Sequence, residues 1–128
     1  MRTLSVLGAT GSIGTQALEV AARYPERFRV VALTAKSSQE KLFELVRRFR
    51  PALAGLVDPV DPADIPADLR FCQWVFGEEA LVAAAEIPCD DVLVSVVGMA
   101  GLRAVLAALS KGRRVLLIFD EASAVPDV

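Results

Sequence analysis

Three glycines constrain this chain more than any other feature. Gly8, Gly11 and Gly14 recur at a spacing of three, after the apolar run at residues 3–7 and just where a helical pattern begins at Ser12. A short apolar run that stops at glycine reads as a buried strand. Strand, glycine turn and helix in that order bring backbone close to a ligand phosphate. Gly8 allows the sharp exit from the strand, Gly11 leaves no Cβ in the way of a pyrophosphate, and Gly14 lets the helix lie close to the sheet. The helix start adds free N–H groups and partial positive charge, and Thr10 and Ser12 add hydroxyl donors.

A glycine triplet alone is weak evidence, so its context decides. Ile13, Ala17, Val20 and Ala21 recur at helical offsets until Pro25 stops the pattern. A second strand is expected at 28–33, and a helix at 39–49 through Leu42, Leu45, Val46 and Phe49, closed by Pro51. Further strands are expected at 54–57, 71–76, 92–97 and 114–118, and helices at 78–86 and 102–109, the last ended by Lys111-Gly112. Residues 58–68, with three prolines and four aspartates, read as a loop. Strands apolar on both faces, alternating with helices, mean a parallel sheet covered on both sides. Six of them complete a doubly wound α/β domain of the Rossmann dinucleotide-binding type, spanning residues 1–128 as a single domain.

Composition removes several alternatives. The 128 residues are 54% hydrophobic and include no histidine, so no Ser-His-Asp triad, Cys-His dyad or His-ligated zinc site can be built. Cys72 and Cys89 have no metal-like spacing and suit unlinked, small core residues in a reducing compartment. The net charge of −2 gives no reason to expect a nucleic-acid partner. It is uneven, however: residues 1–50 carry nine basic and four acidic side chains, residues 51–128 five and twelve. A basic half can steer an anionic ligand, though solvated helix faces produce the same count. No stretch reaches the roughly 18 apolar residues that span a membrane, and no signal peptide fits, so a cytoplasmic domain is expected.

The end of the second strand selects the cofactor. An NAD-preferring domain usually places an acid there to hold the ribose hydroxyls. This chain reads Thr34-Ala35-Lys36-Ser37-Ser38, and a cation with hydroxyls suits a 2′-phosphate, so NADPH is expected over NADH. The alternative for Lys36 is a solvated loop residue. The segment Val97-Gly98-Met99-Ala100-Gly101 ends the fifth strand. If 71–76 is an edge element, that strand lies beside the first, and its glycines either admit the middle of the cofactor or simply turn the chain. Asp120-Glu121, at the last strand's end, reads as a metal-binding pair or as a solvated loop.

The run Gly8–Gly14, then Pro25-Glu26-Arg27-Phe28-Arg29-Val30-Val31-Ala32-Leu33, then Val97-Gly98-Met99-Ala100-Gly101-Leu102, resembles the 1-deoxy-D-xylulose 5-phosphate reductoisomerase family. The resemblance runs through nearly all of the chain but covers about the N-terminal third of such an enzyme. It implies an NADPH-dependent rearrangement and reduction of a phosphosugar to 2-C-methyl-D-erythritol 4-phosphate, in isoprenoid biosynthesis, assisted by Mg²⁺ or Mn²⁺. It also implies that Thr10, Gly11, Ser12 and Ile13 hold the NADPH phosphates, and it places Ala35, Lys36 and Ser37 on the family's Gly-basic-Asn loop. Ala100 and Glu121 complete the expected cofactor contacts. Where the family has Ala-Asn-Lys-Glu, this chain has Ile118-Phe119-Asp120-Glu121, so only Glu121 matches. The family's metal carboxylates and catalytic domains are expected beyond Val128, the isolated chain is expected to be inactive, and the complete enzyme can be a homodimer.

Two other readings stay open. A semialdehyde-dehydrogenase-like reductase also begins Gly-Ala-Thr-Gly, and a stand-alone nucleotide-binding or redox-sensing module needs nothing further. The short-chain dehydrogenase pattern fails, because Tyr24 is the only tyrosine and Phe28 stands where its lysine is needed.

Overall fold

The computed structural model describes residues 1–58, 60–95 and 99–117. Six parallel strands form one sheet: β1 (Arg2–Leu7), β2 (Phe28–Ala35), β3 (Leu53–Leu56), β4 (Gln73–Phe76), β5 (Asp91–Val94) and β6 (Arg114–Leu117). Their spatial order is β4-β3-β2-β1-β5-β6. The chain therefore steps outward from β1 to the edge at β4, then returns past β1 to lay down β5 and β6. That reversal makes a topological switch point between β1 and β5, where doubly wound sheets open a crevice at the carboxyl ends of their strands.

Helices α1 (Ser12–Arg23) and α2 (Gln39–Phe49) cover one face, and α3 (Glu79–Glu86) and α4 (Met99–Ser110) the other. On the first face Val6, Leu33, Leu56 and Leu93 meet Leu18, Ala21, Leu42, Phe43 and Val46. On the second, Leu7, Ala32, Val92 and Val94 meet Leu81, Ala84, Ala85, Ala104 and Ala108. Each fully buried Leu or Val contributes about 1.5–3 kcal/mol of apolar transfer. The polar group buried on the second face is satisfied, since the Ser5 hydroxyl donates to the Ala84 carbonyl at 2.7 Å. The proline–aspartate stretch forms two single 3₁₀ turns, Pro62–Asp64 and Ala67–Leu69, and the Asp61 side chain accepts the Ala63 N–H at 2.9 Å.

Helix α1 presents a different stripe from the one its periodicity suggests. α1 buries Gly14, Leu18 and Ala21, while Val20 is 49% exposed, because the close approach at Gly14 turns that stripe inward. α4 starts at Met99, before the expected Leu102, so Ala100 lies in its first turn. It buries Gly101, Ala104 and Ala108 and turns Leu102, Leu106 and Leu109 outward, since small residues let it lie close to the sheet and α3. Residues 96, 97 and 118 of the expected strands lie outside the described residues.

The acidic pair Asp90-Asp91 proves structural. The buried Asp91 carboxylate accepts from Arg2 at 2.7 and 2.8 Å and from Arg114 at 2.8 Å, clamping β1, β5 and β6 at their amino ends. The Arg2 hydrogen bond, reinforced by Arg114, holds this carboxyl below the usual carboxylate range. Asp90 accepts the Thr3 N–H at 2.9 Å. Cys72 is buried and Cys89 half-buried, both free, and burial pushes both thiols up, away from thiolate chemistry.

Candidate functional site

The carboxyl end of β1 is where the sequence places its chemistry. Leu7 is level with Thr34 of β2 and Val94 of β5, so the chain leaving β1 at Gly8 emerges between the ends of two neighbouring strands. Both neighbours hold it. Thr34 accepts the Gly8 N–H through its hydroxyl at 3.2 Å and the Ala9 N–H through its carbonyl at 2.7 Å. On the other side the Ser95 N–H donates to the Leu7 carbonyl at 3.1 Å. Thr34 is fully buried, so these bonds form away from competing water.

The glycines then do different work. Gly8 takes φ +84°, a conformation that side chains rarely adopt. Gly14 packs so tightly that a Cβ there would lie 2.2 Å from the Gly8 carbonyl oxygen. At Gly11 a Cβ would meet only that oxygen, at an ordinary 3.6 Å, so the protein's own packing leaves the position free. What Gly11 keeps bare is the exposed start of α1, where it stands as the N-cap with no side-chain cap. The first-turn N–H groups of α1 are thus left for an outside acceptor, as a phosphate requires. The Thr15 N–H returns to the Gly11 carbonyl at 2.9 Å and closes the turn.

A cavity of about 260 Å³ opens beside this turn, lined by Gly8, Thr10, Gly11, Thr34, Ala35, Lys36, Val57, Leu81 and Ser95. Of the residues expected at a cofactor site, the cavity brings together Gly8, Thr10, Gly11, Ala35 and Lys36. Ser12 and Ile13 sit beside it in the first turn of α1, and Ser37 is exposed in the β2–α2 loop. Ala100 packs against the second core face. Glu121, with Phe119 and Asp120, lies outside the described residues. Thr34 and Ser95 were not singled out by sequence reasoning; only their place at strand ends facing the glycine turn could have marked them. A larger cleft of about 450 Å³, lined by Met1, Phe28, Arg29, Arg48 and Phe49 among others, lies at the opposite ends of the strands, away from the glycine turn.

The glycine turn fits a phosphate-bearing cofactor, since each feature it needs is built in backbone. Among the described residues no three or more His, Cys, Asp or Glu side chains group as a metal ion would require. Among the described residues no helix is long and apolar enough to cross a membrane.

The family model for 1-deoxy-D-xylulose 5-phosphate reductoisomerase matches residues 4–122. The chain belongs to this family. The reductoisomerase of Ralstonia nicotianae is 47% identical over 128 residues, covering 95% of this chain and 32% of its own length. That of Nitrosospira multiformis is 43% identical over 126 residues, with 94% and 32% covered. A solved reductoisomerase in complex with magnesium superposes with a TM-score of 0.85 at 34% identity, over 93% of this chain and 31% of that one. The Zymomonas mobilis reductoisomerase in complex with NADPH gives 0.78 at 36% identity, over 94% and 32%. The chain thus spans about a third of the length of the curated reductoisomerases it matches.

Proposed function

We propose that this chain is the NADPH-binding domain of a 1-deoxy-D-xylulose 5-phosphate reductoisomerase, which rearranges and reduces its phosphosugar to 2-C-methyl-D-erythritol 4-phosphate. The observation that carries the reading is the glycine turn at the β1–β5 switch point, in a chain matching the family over residues 4–122. Gly11, whose own N–H donates to the Gly8 carbonyl at 3.3 Å, keeps the helix start bare, the first-turn N–H groups at Ser12 and Ile13 hold the cofactor's phosphates, and Thr10 and Ser12 add hydroxyl donors. Thr34 keeps the turn in place from below. Ala35 ends β2 in the wall of the cavity, and Lys36 and Ser37 take the 2′-phosphate. NADPH, when bound, supplies the hydride for reduction.

The activity belongs to the complete enzyme, a cytoplasmic protein acting on a small phosphosugar, and the Mg²⁺ or Mn²⁺ it uses is held by residues other than those described. Residues 1–128 supply cofactor binding and not turnover. Calorimetric titration tests this: the chain binds NADPH at least tenfold more tightly than NADH. Equal affinity for the two would remove the 2′-phosphate assignment, and no heat with either would remove the cofactor assignment.

A further inference from the structure

We infer that Ser95 is a further ligand-binding residue, whose hydroxyl donates to the diphosphate bridge of the dinucleotide from the wall opposite the glycine turn. The inference rests on the NADPH reading and extends it to a side chain that neither the glycine motif nor the basic loop contains. Ser95 directly follows β5, and its backbone is pinned to the end of β1 by the bond from its N–H to the Leu7 carbonyl. Its side chain is half-buried and lines the same cavity as Gly8, Gly11 and Lys36. A Cβ at Gly8 would lie 2.9 Å from the Ser95 carbonyl oxygen and 3.2 Å from its Oγ. The missing side chain at Gly8 is therefore what lets Ser95 stand against the turn.

The position matters because a dinucleotide crosses a doubly wound sheet at its switch point, with its phosphates over this gap. The glycine turn presents N–H donors from the β1 side only. Ser95 is a hydroxyl donor on the β5 side, and hydrogen bonds to an ionised phosphate are roughly twice as strong as neutral ones. Lys36 stands at the β2 side of the same cavity, where the 2′-phosphate of the adenosine half is read. Ser95 and Lys36 thus divide the ligand between them.

Titration of the 128-residue chain and its Ser95→Ala variant with NADPH and with adenosine 2′-monophosphate tests this. The second ligand keeps adenosine and its 2′-phosphate but carries neither phosphate of the diphosphate bridge. Ser95→Ala is expected to weaken NADPH about five- to twenty-fold, the loss of one charge-assisted hydrogen bond, and to change adenosine 2′-monophosphate less than about twofold, with an unaltered melting temperature. An NADPH affinity equal to wild type, or an equal loss for both ligands, would overturn the role of Ser95 and leave the NADPH reading standing. Wild-type chain that binds neither ligand would overturn that reading, and this inference with it.

Discussion

Replacing Gly14 by alanine gives the most exacting test of how the glycine turn is built. The new Cβ would fall 2.2 Å from the Gly8 carbonyl oxygen, 2.9 Å from the Ala9 Cα and 3.0 Å from the Gly8 carbonyl carbon. All three atoms are backbone, so no side chain can swing away, and α1 must lift from the turn by about 1 Å to restore a normal contact. Overpacking of this kind costs about 1–3 kcal/mol, and rigid backbone on both sides puts it at the upper end. The better helix propensity of alanine returns about 1 kcal/mol, leaving a net loss of about 2 kcal/mol. For a domain of this size that lowers the melting temperature by about 6–10 °C in a thermal unfolding scan. The lift also displaces the α1 N–H groups from the ligand, so NADPH affinity falls at least tenfold. Gly11→Ala is the control, since its Cβ meets protein only at 3.6 Å. It costs under about 1 kcal/mol of stability, as at other N-caps, yet weakens NADPH by crowding the phosphate face. A Gly14→Ala variant that melts within 1 °C of wild type and keeps its NADPH affinity would refute the close-packing argument.

Other expectations follow from the same geometry. Lys36→Glu should weaken NADPH about 10- to 100-fold, the value of a charged hydrogen bond plus the new repulsion, and leave NADH nearly unchanged; calorimetry of both cofactors checks it. Asp91→Asn should cost about 2–3 kcal/mol at pH 7 in urea unfolding, less than a fully buried pair because Arg2 and Arg114 are half-exposed. The folded Asp91 carboxyl is held below its unfolded value, so its stabilisation is present above a pH of about 4 and lost as pH falls through the folded value. The variant should therefore show a flatter acid limb than wild type, and parallel limbs would contradict the clamp. Cys89, half-buried, should react with a thiol reagent before Cys72, which the fold protects until it opens; the reverse order under native conditions would contradict the packing around Cys72.

Much of the fold was legible because its signals are local. The glycine turn, the apolar runs and the prolines at 25 and 51 depend on neighbours a few residues apart, and α2 falls at Gln39–Phe49 as its periodicity indicates. The facing of α1 and α4 was less legible. Both helices lie against the sheet through Gly14, Gly101, Ala104 and Ala108, whose small size permits close approach but carries no hydrophobic signal. The leucines that do carry it, Leu102, Leu106 and Leu109, point outward. In the site, Gly8, Thr10, Gly11, Ala35 and Lys36 were readable because strand–turn–helix order brings them together. Thr34 and Ser95 were not, since their contacts with residues 7–9 form only once β2 and β5 flank β1. Asp91 was opaque for the same reason: its partners Arg2 and Arg114 lie 89 and 23 residues away in sequence.

The proposed function requires a dinucleotide to lie across the glycine turn at the β1–β5 switch point. The most direct measurement is a backbone amide NMR titration of the chain with NADPH. Shifts are expected to concentrate at Gly8–Ile13, Thr34–Lys36 and Ser95, on one edge of the sheet. Shifts centred instead on Phe28, Arg29 and Phe49, around the larger cleft at the opposite edge, would contradict it.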